Sequence, residues 1–246
     1  HMTQLTDAEV DRVAACKVSV AHCPESNMKL ASGSCPVPRL LAAGVNVALG
    51  TDGCASNNDL DMFGEMRTAA LHAKLIASNP EALPAPEALH MATLAGARAL
   101  GLGDVTGSLE PGKAADIQAV QLGGVESTPV YSVASHLVYC TGRHQVTDVW
   151  VAGRRVLAGR RFTTLDEAAV VAKVHARRDA QRGREQGLSR VPPTPGRRGS
   201  GAPRSAPRPP TAQPPRSREG GGGARRAVLL GSRPDGPGEG GGGGDG

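Results

Sequence analysis

Residues 45–58 read VNVALGTDGCASNN: a short apolar, β-branched run that ends in a single carboxylate, Asp52, followed by glycine and small polar residues. A run this short, bounded by Gly44 and Gly50, reads as a buried strand rather than a helix. Immediately before it, PVPRLLAAG (36–44) reads as a helix closed by Gly44, because glycine adopts the left-handed C-terminal conformation without a Cβ penalty. Earlier still, TDAEVDRVAACK (6–17) carries Thr6 and Glu9 at capping-box spacing, with Val10, Val13 and Ala14 on one face. VSVAH (18–22) follows as a second β-branched run, ending in His22. Helix, strand, helix, strand with short connections predicts parallel βα units, with both strands running the same way. His22 and Asp52 then emerge at the C-terminal strand edge, where α/β folds place their reactive side chains.

Working outward, DLDMFGEMRTAALHAKLIAS predicts a long helix and PEALHMATLAGARAL one or two more. The period then changes. GSLEPGKAADIQAVQL, HLVYCTGRHQVTDVWVAG and RRVLAGRRF read as short strands separated by glycine turns, which suggests a small β subdomain. LDEAAVVAKVHARRDAQ predicts a terminal amphipathic helix. The expected organisation is a partial α/β barrel over 1–105, a β subdomain over 106–165, a helix over 166–186 and a disordered tail over 187–246.

Residues 187–246 hold 17 glycines and 11 prolines in 60 residues, too few apolar side chains to offset ordering entropy. They also hold 10 arginines against 4 acidic residues, so the net +5 of the whole chain belongs to the tail. With no aromatics for base stacking and no RGG-type repeat, this basic segment reads as solvated rather than as a nucleic-acid ligand. The five cysteines form no CxxC pair, and no run approaches the roughly 20 apolar residues of a membrane span, so the expectation is a cytoplasmic protein with reduced thiols. Aromatic residues make up 2% of the chain, so the core must be built from Ala, Val and Leu.

HMTQLTDAEV, AHCPESNMKLASG, GVNVALGTDGCASNNDLDMFGEMRTAAL and GSLEPGKAADI together resemble consecutive blocks of the metal-dependent amidohydrolase superfamily. They are most similar to its branch of 5-methylthioadenosine/S-adenosylhomocysteine deaminases, over about residues 1–175. The resemblance implies the C-terminal part of a (βα)8 barrel, from the region of strands 6 to 8, with a small β-sandwich. It also implies a divalent metal, usually zinc, whose bound water attacks the amino-bearing purine carbon while a carboxylate takes the proton. On that basis Asp52 is both metal ligand and catalytic base; the bland alternative is an Asp that only starts a turn or caps the next helix. His1 matches a histidine that shuttles protons near the metal, although His-Met at this position also reads as an expression-vector remnant. His22 matches a strand-seven histidine, either at the substrate or held structurally. Ser56 matches a loop serine that approaches the nucleoside, while Asn57 and Asn58 hold the loop by side-chain to backbone bonds.

For the remaining candidates the bland readings lead. Glu65 and Arg67 are expected to be solvated or ion-paired on their helix, His72 and His90 to be packing residues, and Cys54 to be a small buried thiol. His136 and His144 carry no chemistry. The family's metal centre also requires a His-x-His pair, a third histidine and a nearby glutamate. The chain contains no His-x-His, and the resemblance therefore implies a C-terminal half whose isolated form is inactive and, with an open strand edge, prone to self-association. Three functions remain open: a deaminase of adenine nucleosides present as a fragment or completed by another chain, a non-catalytic remnant or binding module, and an aminohydrolase of guanine, a triazine or a cytosine-like ring. The expected partners are a nucleoside substrate and either a missing N-terminal half or a second copy of the chain.

Overall fold

In the computed structural model, which describes residues 1–189 and side chains through residue 184, the first helix begins where the sequence signals it. The Thr6 amide donates to the Glu9 carboxylate at 2.7 Å, one half of a capping box, and α1 runs Asp7–Ala15 with Val10 buried. Strand β1 (Val20–His22) leads into α2 (Pro24–Lys29), whose first position is a proline that needs no amide donor. Helix α3 (Val37–Ala42) ends at Gly44, with φ +75°, and β2 (Val47–Leu49) follows. The two strands are parallel, with Val20 opposite Val47, Ala21 opposite Ala48 and His22 opposite Leu49.

Helix α4 (Met62–Ala77) is capped by Asp61, which accepts from the Phe63 amide at 2.9 Å. Its buried residues Phe63, Met66, Ala69, Ala70 and Ala73 recur at helical spacing, and the alanines leave room for close neighbours. Helices α5 (Ala85–Ala92) and α6 (Leu94–Ala99) complete the layer behind β1 and β2. The core is built on Leu40, Met91, Val10, Val20, Val37 and Val47, each at most 2% exposed.

The β subdomain is an antiparallel sheet ordered β3 (Ile117–Val120), β4 (Val146–Val151), β5 (Arg154–Ala158) and β6 (Arg161–Phe162). Among the described residues it is a single layer, not the expected sandwich. Ala152 and Gly153, both at positive φ, form the two-residue turn between β4 and β5. The His136–Cys140 region, expected as a strand, lies at the end of helix α7 (Val133–Tyr139) instead. Ser132 accepts from the Ser135 amide at 3.3 Å, and Val138 is fully buried where α7 packs on α4 and α5. A short apolar run is compatible with either period, and tertiary packing decides it.

Helix α8 (Glu167–Ser189) forms where expected, and its side chains through residue 184 are exposed. The tail expected to be disordered lies outside the described residues from residue 190 onward. No helix among the described residues is long and apolar enough to cross a membrane.

Gly107 shows how tightly the helical layer meets the sheet domain. It has φ +92°, and a Cβ there would lie 2.7 Å from Ala97 Cβ and 2.9 Å from Leu94 Cα. Gly107→Ala is therefore expected to cost at least about 1 kcal/mol, through both the left-handed backbone and the clash. A urea titration measures it; an unchanged midpoint contradicts the packing described.

Candidate functional site

The loop after β2 carries Asp52 in a left-handed conformation, φ +62°, which an L-residue occupies only where its surroundings hold it. Those surroundings are two hydroxyls. Ser26 Oγ, on α2, and Ser56 Oγ, four residues further along the loop, each donate to Asp52 Oδ2 at 2.8 Å. With the Gly53 amide they stabilise the charged form and hold the Asp52 carboxyl below the usual carboxylate range. Asp52 is therefore ionised at neutral pH, and its side chain is about a third exposed (36%).

His1 sits beside it. Its Nε2 is 3.6 Å from Asp52 Oδ2, too far for a direct hydrogen bond but within ion-pair distance. Its Nδ1 lies 2.6 Å from Asn27 Oδ1, a contact that places the Nδ1 proton on the Asn27 side and directs Nε2 at the carboxylate. Thus three of the four site residues expected from sequence, Asp52, His1 and Ser56, come together on one face.

His22 does not join them. Its partner across the sheet is Leu49, its ring is 1% exposed, and it stacks on His72 with ring centroids 6.4 Å apart. Strand side chains alternate in direction, so Ala21 faces outward and His22 points into the helical layer. Burial pushes its pKa down to about 4, with His72 adding to the effect, so the ring is neutral, and neither of its buried nitrogens has a hydrogen-bond partner among the described residues.

Two further expectations need correction. Cys54 is exposed, not a buried thiol, because its loop turns outward after Asp52. Glu65 is neither solvated nor ion-paired with a neighbour: it is fully buried and accepts from Asn57 Nδ2 at 2.7 Å. Ser26 and Asn27 were missed altogether, although they are the Ser-Asn of the HCPESN block and its only small polar pair. Lys29 tethers the loop by donating to Ala55 O at 3.2 Å and to Asn58, while Arg143 donates to Asp59 O at 2.6 Å from the next domain segment.

Asp52 and His1 are ligands of a kind that suits zinc, but they are only two, and catalytic zinc takes three from protein. Among the described residues no group of three or more His, Cys, Asp or Glu is arranged to hold a metal. The residues present do not by themselves fit a complete zinc site.

The two serines make a direct prediction. Ser26→Ala or Ser56→Ala is expected to raise the Asp52 carboxyl pKa toward the ordinary range, and the double variant to raise it further. Carboxyl-carbon NMR across an acid titration reads the shift; an unmoved Asp52 signal in the double variant contradicts the assignment.

Residues 1–156 match the amidohydrolase family profile. The chain is 49% identical over 172 residues to a 5-methylthioadenosine/S-adenosylhomocysteine deaminase of Teredinibacter turnerae, covering 70% of this chain and 39% of that protein. It is 46% identical over 191 residues to a 5'-deoxyadenosine deaminase of Methanosarcina mazei, covering 78% of this chain and 42% of that protein. Among solved structures, a zinc-bound adenosine deaminase from Xanthomonas campestris superposes with a TM-score of 0.73 at 56% identity, over 74% of this chain and 42% of its own. A zinc-bound atrazine chlorohydrolase from Arthrobacter aurescens gives 0.68 at 33% identity, over 72% and 39%. The chain thus spans about two fifths of the length of the curated relatives it matches.

Proposed function

Because the chain belongs to the amidohydrolase family, we propose that it supplies the Asp52 side of the active site of a hydrolytic deaminase of adenine nucleosides, such as methylthioadenosine or S-adenosylhomocysteine. The observation that carries this reading is the ionised, doubly hydrogen-bonded Asp52 facing His1. A divalent metal, when bound in such a site, activates water for attack on the amino-bearing carbon. Asp52 would be one ligand of such a metal and would serve as the base for the attacking water, since its carboxylate is anionic and its Oδ2 is fixed in direction by two hydroxyls. His1, with Nε2 directed at the carboxylate, passes the proton toward the departing amine. Ser56 lies at the rim of the same face and is the proposed nucleoside contact.

With only two ligand-type side chains in place, we expect the 246-residue chain alone to be inactive, its remaining ligands coming from a partner segment or chain. The adenine-nucleoside reading is favoured over guanine or triazine substrates by the order of identities, 49% and 56% for the adenosine-type deaminases against 33% for the triazine enzyme.

The test is complementation. The chain is mixed with the part of the Teredinibacter turnerae relative that it does not match, together with zinc, and offered methylthioadenosine, 5'-deoxyadenosine, guanine and a triazine. Conversion of the adenine compounds to their hypoxanthine counterparts is the expected outcome. Turnover confined to guanine or the triazine overturns the substrate assignment.

A further inference from the structure

Behind Asp52 lies a second carboxylate that the proposed chemistry does not use. Glu65, on the first turn of α4, is 0% exposed, and its two oxygens reach different loops. Oε1 accepts from Asn57 Nδ2 at 2.7 Å, and Oε2 accepts from the Glu25 amide at 3.3 Å. Asn57 is the neighbour of Ser56, and Glu25 the neighbour of Ser26. These are the two serines whose hydroxyls converge on Asp52. One buried side chain therefore ties together the two backbone segments whose serines hold Asp52 Oδ2.

The contacts around Glu65 reinforce the tie. Asn57 Oδ1 accepts from the Leu60 amide at 2.6 Å, which closes the loop on itself, and Asn57 Nδ2 also lies 3.4 Å from Glu25 Oε2. Glu25 Oε1 in turn accepts from Thr68 Oγ1, one turn further along α4, at 3.0 Å. Gly64 lies against this carboxylate, and a Cβ there would stand 2.9 Å from Glu25 Oε1, so a side chain at 64 would push the Glu25 carboxylate aside.

We infer that Glu65 is a positioning residue: its carboxylate clamps the start of α2 to the loop after β2, and thereby sets Ser26 and Ser56 at the separation that fixes Asp52. The catalytic consequence rests on the reading of Asp52 given above; the clamp itself does not. A carboxylate serves here because it alone offers two acceptors to two donors that arrive from different elements.

The charged or titratable groups that face Glu65 are Glu25 from α2, Asp59 from the loop and the Cys23 thiol at the end of β1. Burial, with the like charges of Glu25 and Asp59, pushes its carboxyl up to about 7. Below that pH a proton occupies one oxygen and one of the two donors loses its acceptor. Because the folded value lies above the ordinary 4.5, ionising Glu65 costs stability: its contribution is full below about 4.5 and is lost as pH rises through about 7.

Amide NMR of the full chain between about pH 5 and 9 tests the clamp without metal or substrate. In the unaltered protein the Glu25 backbone amide and the Asn57 side-chain amide are expected to titrate together, with a midpoint near 7. In Glu65→Gln that shared titration disappears; the Asn57 bond survives on the amide oxygen and the Glu25 bond does not, so exchange speeds up at 24–27 but not at 53–60. In Glu65→Ala exchange is expected to rise at least about tenfold in both segments, while amides of β1 and β2 stay protected. Titration of one of the two amides without the other, or unchanged exchange in both segments of Glu65→Ala, overturns the clamp. Full turnover of a complemented Asp52→Asn protein would instead overturn the role of Asp52 and leave these two signals untouched.

Discussion

Replacing Asp52 with asparagine is expected to lower turnover of the complemented deaminase by about 1,000-fold, within the roughly 10²–10⁴-fold that a positioned general base contributes. Asparagine has nearly the same shape, and its amide oxygen can still accept from Ser26 and Ser56. What it lacks is the negative charge and the ability to take a proton. A large loss with an unchanged amide spectrum therefore isolates chemistry from folding. His1→Asn removes only the relay and is expected to cost less. If both variants lost activity equally while Asp52→Asn also unfolded the loop, the effect would be structural, and the proposed base would have to be sought elsewhere.

The largest effect on stability is expected at Leu40. It is fully buried on α3, among a core with few large side chains, and its carbonyl accepts from the Val45 amide at 3.0 Å where the chain enters β2. Leu40→Ala removes three buried heavy atoms and leaves a cavity in the core cluster. The expected cost is about 3–5 kcal/mol, a large part of the stability of an ordinary domain. Leu71→Ala, at a position 53% exposed on α4, is the control and should change stability by less than about 0.5 kcal/mol. Urea unfolding followed by circular dichroism distinguishes them; equal midpoints would contradict the core described.

The parallel pair β1 and β2, with α1, α3 and α4, was legible in the sequence because each carries its own signal: a capping box at Thr6, a closing glycine at Gly44 and a helical stripe from Phe63 to Ala73. Helix α2 was not, since PESNMK is six residues long with no apolar period. The run at Leu137 and Val138 fits both periods, and packing against α4 and α5 made it helical. Of the site, Asp52, Ser56 and His1 follow from motif position, but the direction of His22 depends on strand register, which the motif does not contain. Glu65 was misjudged for a related reason. A charge on an amphipathic helix ordinarily faces water, and only the three-dimensional meeting of Asn57 with the Glu25 amide supplies the donors that let a carboxylate be buried.

On the proposed function, Asp52, His1 and Ser56 supply one side of a metal-dependent deaminase site and the remaining ligands come from elsewhere. Zinc content after dialysis, measured together with methylthioadenosine turnover, tests it most directly. The expected result is substoichiometric zinc and no turnover for the chain alone, then about one zinc per complex and turnover once the complementary part of the relative is added, with both lost in Asp52→Asn. One tightly held zinc and steady turnover by the chain alone would contradict it.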